Sequence, residues 1–196
     1  MKDTGPRPPA DGPVIRQLST RVVYTNPWIT VREDQIERPD GSRGVYGVVE
    51  KPDFALVIPV ENGGFHLVQE YRYPIARRTW SFPQGTIPGQ PHAEAEAVAR
   101  RELAEETGLR AGTLTHIGFL HCSHGTSVQG CNIFVATDLR AGSAQREHEE
   151  QDMRQAWVSR AAFEQMITDG TITDDTSVAA YALLMMHERR AAGAAR

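Results

Sequence analysis

The sequence predicts an α+β fold, with strands first, one helix midway and two helices at the end. Three observations carry that expectation. Runs rich in Val, Ile, Thr and aromatic residues dominate the first third of the chain. Helix-forming runs follow singly rather than alternating with strands, and no GxGxxG follows a strand-like run, which disfavours a doubly wound dinucleotide-binding sheet. With 196 residues there is room for one domain and a small appendage.

The elements read as follows. Residues 1–18 hold four prolines and few apolar side chains, the composition of a disordered arm, and the first eleven contain no apolar stretch of a secretory leader. Residues 20–25 and 28–37 are strand-like, Pro39-Asp40-Gly41-Ser42 is a turn, and residues 43–50 form a third strand. Residues 19–50 are therefore expected to make an N-terminal antiparallel β segment. Residues 54–60 are continuously apolar, as in a buried strand, and Glu61-Asn62-Gly63-Gly64 turns the chain back through residues 65–71. Trp80-Ser81-Phe82 precedes a Gly-rich loop, and a helix is expected over residues 91–107. Strands follow at 114–120, 132–137 and 155–158. Ser159 caps a helix to about residue 168, and Asp174 or Asp175 caps a last one to about residue 189. Residues 51–190 are the expected main domain, with 191–196 a fraying tail.

Composition excludes some functions. Hydrophobic residues make up 40% of the chain and charged residues 23%, and the net charge of −4 does not suit a surface for nucleic acid or anionic membrane. No apolar run approaches the ~18 residues of a membrane span. An acidic chain that takes a polyanion needs a cationic clamp or a metal ion. Cys122 and Cys131 read as reduced thiols of a cytoplasmic protein rather than as a disulfide.

The helix over residues 91–107 carries the chemistry. Pro91 suits a first helical position, and Gly108 suits the left-handed residue past the end. Ala95, Ala99 and Leu103 form one apolar stripe, and Glu102, Glu105 and Glu106 fall within an arc of about 100° beside it. Like charges at these spacings destabilise a helix by a few tenths of a kcal/mol per pair. They make sense around a hard divalent cation, which prefers carboxylate oxygens. Arg101 stands one turn before Glu105 and is placed to hold its carboxylate. The bland alternative is a solvated acidic face.

These residues resemble a known family. Arg101-Glu102-Leu103-x-Glu105-Glu106-x-Gly108-Leu109 matches the second half of the Nudix box. In the first half, the family's Gly and Glu positions hold Ile87 and Ala93. Gly85 resembles the family Gly after a two-residue lengthening of the loop, with Glu94 in place of the displaced Glu. Gln69-Glu70-Tyr71-Arg72-Tyr73-Pro74, the Phe82-Pro83-Gln84-Gly85 approach and the run from Gly170 to Ser177 resemble the ADP-ribose and nucleotide-sugar diphosphatase branch. The likeness covers roughly residues 22–186. The chain departs from that branch at His124, where a Pro is usual, and at Ser81 and Gln84, where Glu and Ala are usual.

The resemblance implies an α/β/α sandwich with a mixed sheet, and a homodimer formed through the N-terminal sheet. It implies that Glu102, Glu105 and Glu106, with the Gln84 carbonyl, hold Mg²⁺ or Mn²⁺, neutralising the diphosphate and helping to ionise a water. A later Glu serves as base, here Glu150 or Glu149, whose other reading is a solvated loop. Arg72 is a candidate phosphate clamp, with a surface ion pair as its alternative, and Gly85 belongs to the substrate loop. The implied substrate is a small nucleotide diphosphate: ADP-ribose first, then a nucleotide sugar, coenzyme A or a dinucleoside polyphosphate. From another class, a Nudix-fold nucleotide sensor stays open. His121-Cys122-Ser123-His124 lacks a full zinc ligand set. Ser123 and Ser127 lack a nucleophile elbow, and Met185-Met186 read as helix core.

Overall fold

The computed structural model describes residues 14–86, 93–143 and 152–194. They fall into two compact units: residues up to Lys51 with Ser123–Val128, and Pro52–Cys122 with Gln129 onward.

In the first unit β1 (Arg16–Thr25), β2 (Thr30–Glu37) and β3 (Arg43–Glu50) form an antiparallel sheet in chain order. The turns have local causes. Asn26 Oδ1 accepts from the backbone of Trp28 and Ile29, and Asp40 Oδ1 accepts from Ser42 N. Residues Ser123–Val128 extend the β3 edge: Val49 N donates to Thr126 O at 2.8 Å, and Tyr46 Oη donates to Gly125 O at 2.9 Å. The disordered arm expected through residue 18 is corrected at its end. Arg16, Gln17 and Leu18 belong to β1, where Arg16 stands opposite Glu37 and bonds it at 2.7 Å. Pairing across the ladder sets that strand end, and local composition does not report it.

The second unit holds β4 (Phe54–Glu61), β5 (Gly64–Arg72), a 3₁₀ turn at Tyr73–Ile75, β6 (Arg77–Ser81) and β7 (Gln84–Gly85). Then come α1 (Ala95–Thr107), β8 (Leu109–His121), β9 (Gly130–Ala141), β10 (Arg154–Ser159), α2 (Arg160–Thr168) and α3 (Asp175–Ala194). The sheet runs β10-β5-β4-β9-β8, with β6 on β5 and β7 on β4. It is mixed, because β4 is parallel to β9 and antiparallel to β5 and β7. Asn62 and Gly63 both take positive φ, the signature of a tight hairpin between β4 and β5.

β4 is buried on both faces. Leu56 and Ile58 join Phe65, Phe82, Phe163 and Leu184 in one core cluster, which takes in residues of α2 and α3. Ala55 and Val57 join Val98, Ala99, Leu103 and Phe134 in the other, which takes in α1. Helices therefore cover both faces of the sheet, as a sandwich requires. Two expected boundaries move. The mid-chain helix begins at Ala95 rather than residue 91. Glu94 has an extended ψ of 128°, and its carbonyl accepts the first rung, from Val98 N. The last helix runs past residue 189 to Ala194, and its Ala-rich end favours helix.

Candidate active site

The site is built where β7 meets α1. β7 pairs with β4, Gln84 opposite Leu56 and Gly85 opposite Ala55, and Val57 N donates to Pro83 O at 2.9 Å. α1 lies across it and stops at Gly108, whose φ of 71° and bond to Ala104 O form a left-handed cap. The buried face of α1 is Val98, Ala99, Glu102, Leu103, Glu106 and Thr107. Two carboxylates thus share the stripe that anchors the helix: Glu102 is 5% exposed and Glu106 2%.

Both are aimed at β7. Gln84 N donates to Glu106 Oε2 at 3.2 Å. A Cβ on Gly85 would lie 2.5 Å from Glu102 Oε2. Glycine is needed there for close approach, since a methyl group would occupy the space of the carboxylate. The Gln84 side chain completes the corner: its Nε2 donates to Asp174 Oδ2 at 3.3 Å, while its buried Oε1 has no hydrogen-bond partner among the described residues.

A brace from α3 fixes this corner. Asp174 caps the helix through Ser177 N at 2.8 Å, and Ser177 Oγ, fully buried, accepts from Phe82 N at 2.9 Å. One helix N-terminus therefore holds the backbone before β7 and the side chain of Gln84. The cap was legible in the sequence as Asp174 or Asp175. Its reach to Phe82 and Gln84 was not, because no local pattern encodes a contact across ninety or more residues.

The remaining expected residues lie elsewhere. Glu105 faces Arg101, whose Nε donates to both carboxylate oxygens at 2.7 and 2.8 Å. The i,i+4 guanidinium thus engages the third carboxylate of the helix. Arg72 pairs with Glu70 at 2.5 Å on a partly exposed edge. Glu149 and Glu150 lie outside the described residues. Just beyond them Arg78 binds Asp152, through both carboxylate and carbonyl.

The donors fit a hard cation. Two buried carboxylates repel unless something positive sits between or beside them. An unpartnered buried amide oxygen at the same corner is a further oxygen donor. A divalent ion that takes one or two protein carboxylates and fills its shell from substrate and water matches this set better than an all-protein cage. Cys122 and Cys131 form no disulfide with each other, and burial pushes the Cys131 thiol well up. Among the described residues no helix is long and apolar enough to cross a membrane.

The chain has counterparts among known proteins. A family model described as NUDIX domain matches residues 50–181. The chain belongs to the Nudix family. It is a Nudix hydrolase, an enzyme acting on diphosphate bonds. A second model, described as nucleoside diphosphate sugar hydrolase N-terminal domain, matches residues 15–49. An ADP-ribose pyrophosphatase of Mycobacterium tuberculosis (strain ATCC 25618 / H37Rv) is 32% identical over 166 residues, covering 83% of this chain and 79% of the relative. An ADP-ribose pyrophosphatase of Bacillus subtilis (strain 168) is 27% identical over 138 residues, covering 70% and 74%. A solved structure titled as an ADP compounds hydrolase aligns with a TM-score of 0.79 over 89% of this chain and 94% of its own. At 24% identity it speaks for the Nudix fold.

Proposed function

We propose that this Nudix hydrolase cleaves the diphosphate bridge of a nucleoside diphosphate joined to a second group, with ADP-ribose the first substrate, giving AMP and ribose 5-phosphate. The observation that carries the reading is the burial of Glu102 and Glu106 against the Gln84–Gly85 backbone. The two relatives named ADP-ribose pyrophosphatase support the choice of substrate.

In this reading Glu102, Glu105 and Glu106, with the Gln84 carbonyl, would hold Mg²⁺ or Mn²⁺. The ion supplies charge neutralisation at the diphosphate and a lowered pKa for a water in its shell. Arg101 keeps the Glu105 carboxylate fixed. Glu150, with Glu149 as second choice, takes the proton from the attacking water. The water oxygen adds at one phosphorus, the bridging P–O bond breaks, and two phosphomonoesters leave. Arg72 meets a phosphate by exchanging Glu70 for it, and Gly85 lets the phosphate approach the backbone. The protein works as a cytoplasmic homodimer. The exposed Val22, Tyr24, Trp28 and Val45 of the N-terminal sheet support that assembly. Sedimentation showing only monomer at micromolar concentration would remove it.

The deciding test is turnover with Mg²⁺ across ADP-ribose, nucleotide sugars, coenzyme A and dinucleoside polyphosphates, each repeated in EDTA. ADP-ribose is expected to give the highest kcat/KM, and EDTA to abolish all turnover. A better substrate elsewhere in the panel moves the assignment to it. Tight nucleotide binding without hydrolysis of any compound replaces the enzyme with a sensor.

A further inference from the structure

Along α1 an open cleft of about 300 Å³ is lined, among the described residues, by Arg100, Arg101, Ala104, Glu105, Arg110 and Ser143. Three guanidiniums and one carboxylate make an unusual wall in a chain whose net charge is −4. The positive charge extends further. Arg110 stands directly opposite Arg140 in the β8–β9 ladder. Like charges facing each other across a ladder destabilise it, so this pair lacks a reason within the sheet. Asp138, two residues along β9, is engaged by Thr113 Oγ1 at 2.8 Å.

The guanidiniums differ in how far they are committed. Arg100 is anchored at both ends, to Glu96 at 2.8 Å and to Ala111 O at 3.1 Å. Arg101 holds Glu105. Arg110 is exposed, and among the described residues it makes no hydrogen bond or ion pair. Two preorganised forks and one uncommitted fork around a small cleft match the planar, bidentate recognition of phosphate oxygens.

The geometry points to a second anion site in this cleft, formed by Arg100, Arg101 and Arg110, for the dianionic head of a phosphomonoester or free phosphate. Among the described residues the lining carries three positive charges and one negative, a surplus of two. That matches a phosphomonoester, which carries close to two negative charges on one phosphorus at pH 7. A bridging diphosphate spreads its two charges over two phosphorus atoms and fits less well. The site therefore selects the products of diphosphate hydrolysis over the substrate. Arg101 is the link to the active site, since the guanidinium that lines the cleft also fixes Glu105. This link rests on the proposed reaction, whereas the binding itself does not.

The test uses the full-length protein, with inorganic phosphate, AMP and ribose 5-phosphate as probes. Calorimetric titration in EDTA should give Kd values in the millimolar range or tighter for wild type. Arg110→Gln should weaken binding at least about tenfold, the loss expected for a charge-assisted contact. Arg110 is exposed and bonds nothing described, so its replacement leaves folding and basal turnover intact. Arg100→Gln, made separately, should weaken binding in the same direction. Tighter binding of AMP or ribose 5-phosphate than of phosphate assigns the site to products; equal binding assigns it to the free ion, and both support it. Equal phosphate affinity in wild type and both variants overturns the proposal. In turnover assays phosphate should inhibit wild type more strongly than Arg110→Gln. Equal inhibition places phosphate at the substrate site and removes the link, and a lack of turnover in every protein bears on the proposed reaction rather than on binding.

Discussion

Replacing Gly85 with Ala tests the site at its tightest point. The Gly85 backbone lies outside the left-handed region, so alanine adopts it without strain. Its methyl group, however, would stand 2.5 Å from Glu102 Oε2 and 2.8 Å from its Cδ. To regain an ordinary contact of 3.4 Å the carboxylate must retreat by about 0.9 Å. Glu102 is 5% exposed and has little room to retreat. Overpacking of this kind costs about 1–3 kcal/mol of stability. A displacement near 1 Å at a catalytic position costs roughly 10²-fold in rate, equivalent to ~2.7 kcal/mol in the barrier. Steady-state hydrolysis of ADP-ribose should show kcat down by about two orders of magnitude, and Mn²⁺ titration should show weaker ion binding, in a protein that still melts cooperatively. If Gly85→Ala keeps kcat within roughly threefold and binds Mn²⁺ unchanged, Glu102 does not hold the ion and the site has been misplaced.

Three further outcomes are expected. Ser177→Ala leaves the buried Phe82 N–H without its acceptor, so stability should fall by about 1–3 kcal/mol, and Tm by roughly 2–4 °C per kcal/mol; an unchanged melting curve would contradict the brace. Glu150→Gln should lower kcat by about 10²–10⁴-fold while ion binding stays constant, with Glu149→Gln showing that pattern instead if the neighbour is the base; a loss below roughly tenfold in both single variants and the double variant excludes the loop. Burial raises the Cys131 thiol, so its contribution to stability is complete below an unfolded thiol's value of about 8.5 and declines as pH rises beyond it. Thiol-labelling kinetics at pH 7–9 should find Cys122 reacting first and Cys131 only on unfolding, and equal rates would refute this.

Much of the fold was legible because its signals are local. Asn62-Gly63 marks a turn through its positive φ, Ser159 and Gly108 end helices by chemistry confined to one turn, and residues 54–60 announce burial by being apolar throughout. The glutamates were legible in kind but not in orientation. A helix with Ala95, Ala99 and Leu103 inside looks as though its acids stand beside the core, whereas Glu102 and Glu106 are part of the buried face. Charge argues against burial in any local reading; the backbone of Gln84 and Gly85, arriving from β7, lies against both carboxylates. The pairing of Glu105 with Arg101 needed only the i,i+4 spacing. β7 escaped notice because two residues carry no period.

The parallel pairing of β4 with β9 also governs how the enzyme comes into being. Phe54 pairs with Cys131, 77 positions later (131 − 54). At a synthesis rate of about 5–20 residues per second, β4 waits roughly 4–15 s on the ribosome before its partner has been made. During that interval an apolar strand destined for the middle of the sheet presents a bare edge, and α1 is already translated with nothing complete to lie upon. Catalytic competence thus arrives late in biosynthesis, and the nascent chain passes through a stage in which β4 is its chief aggregation hazard.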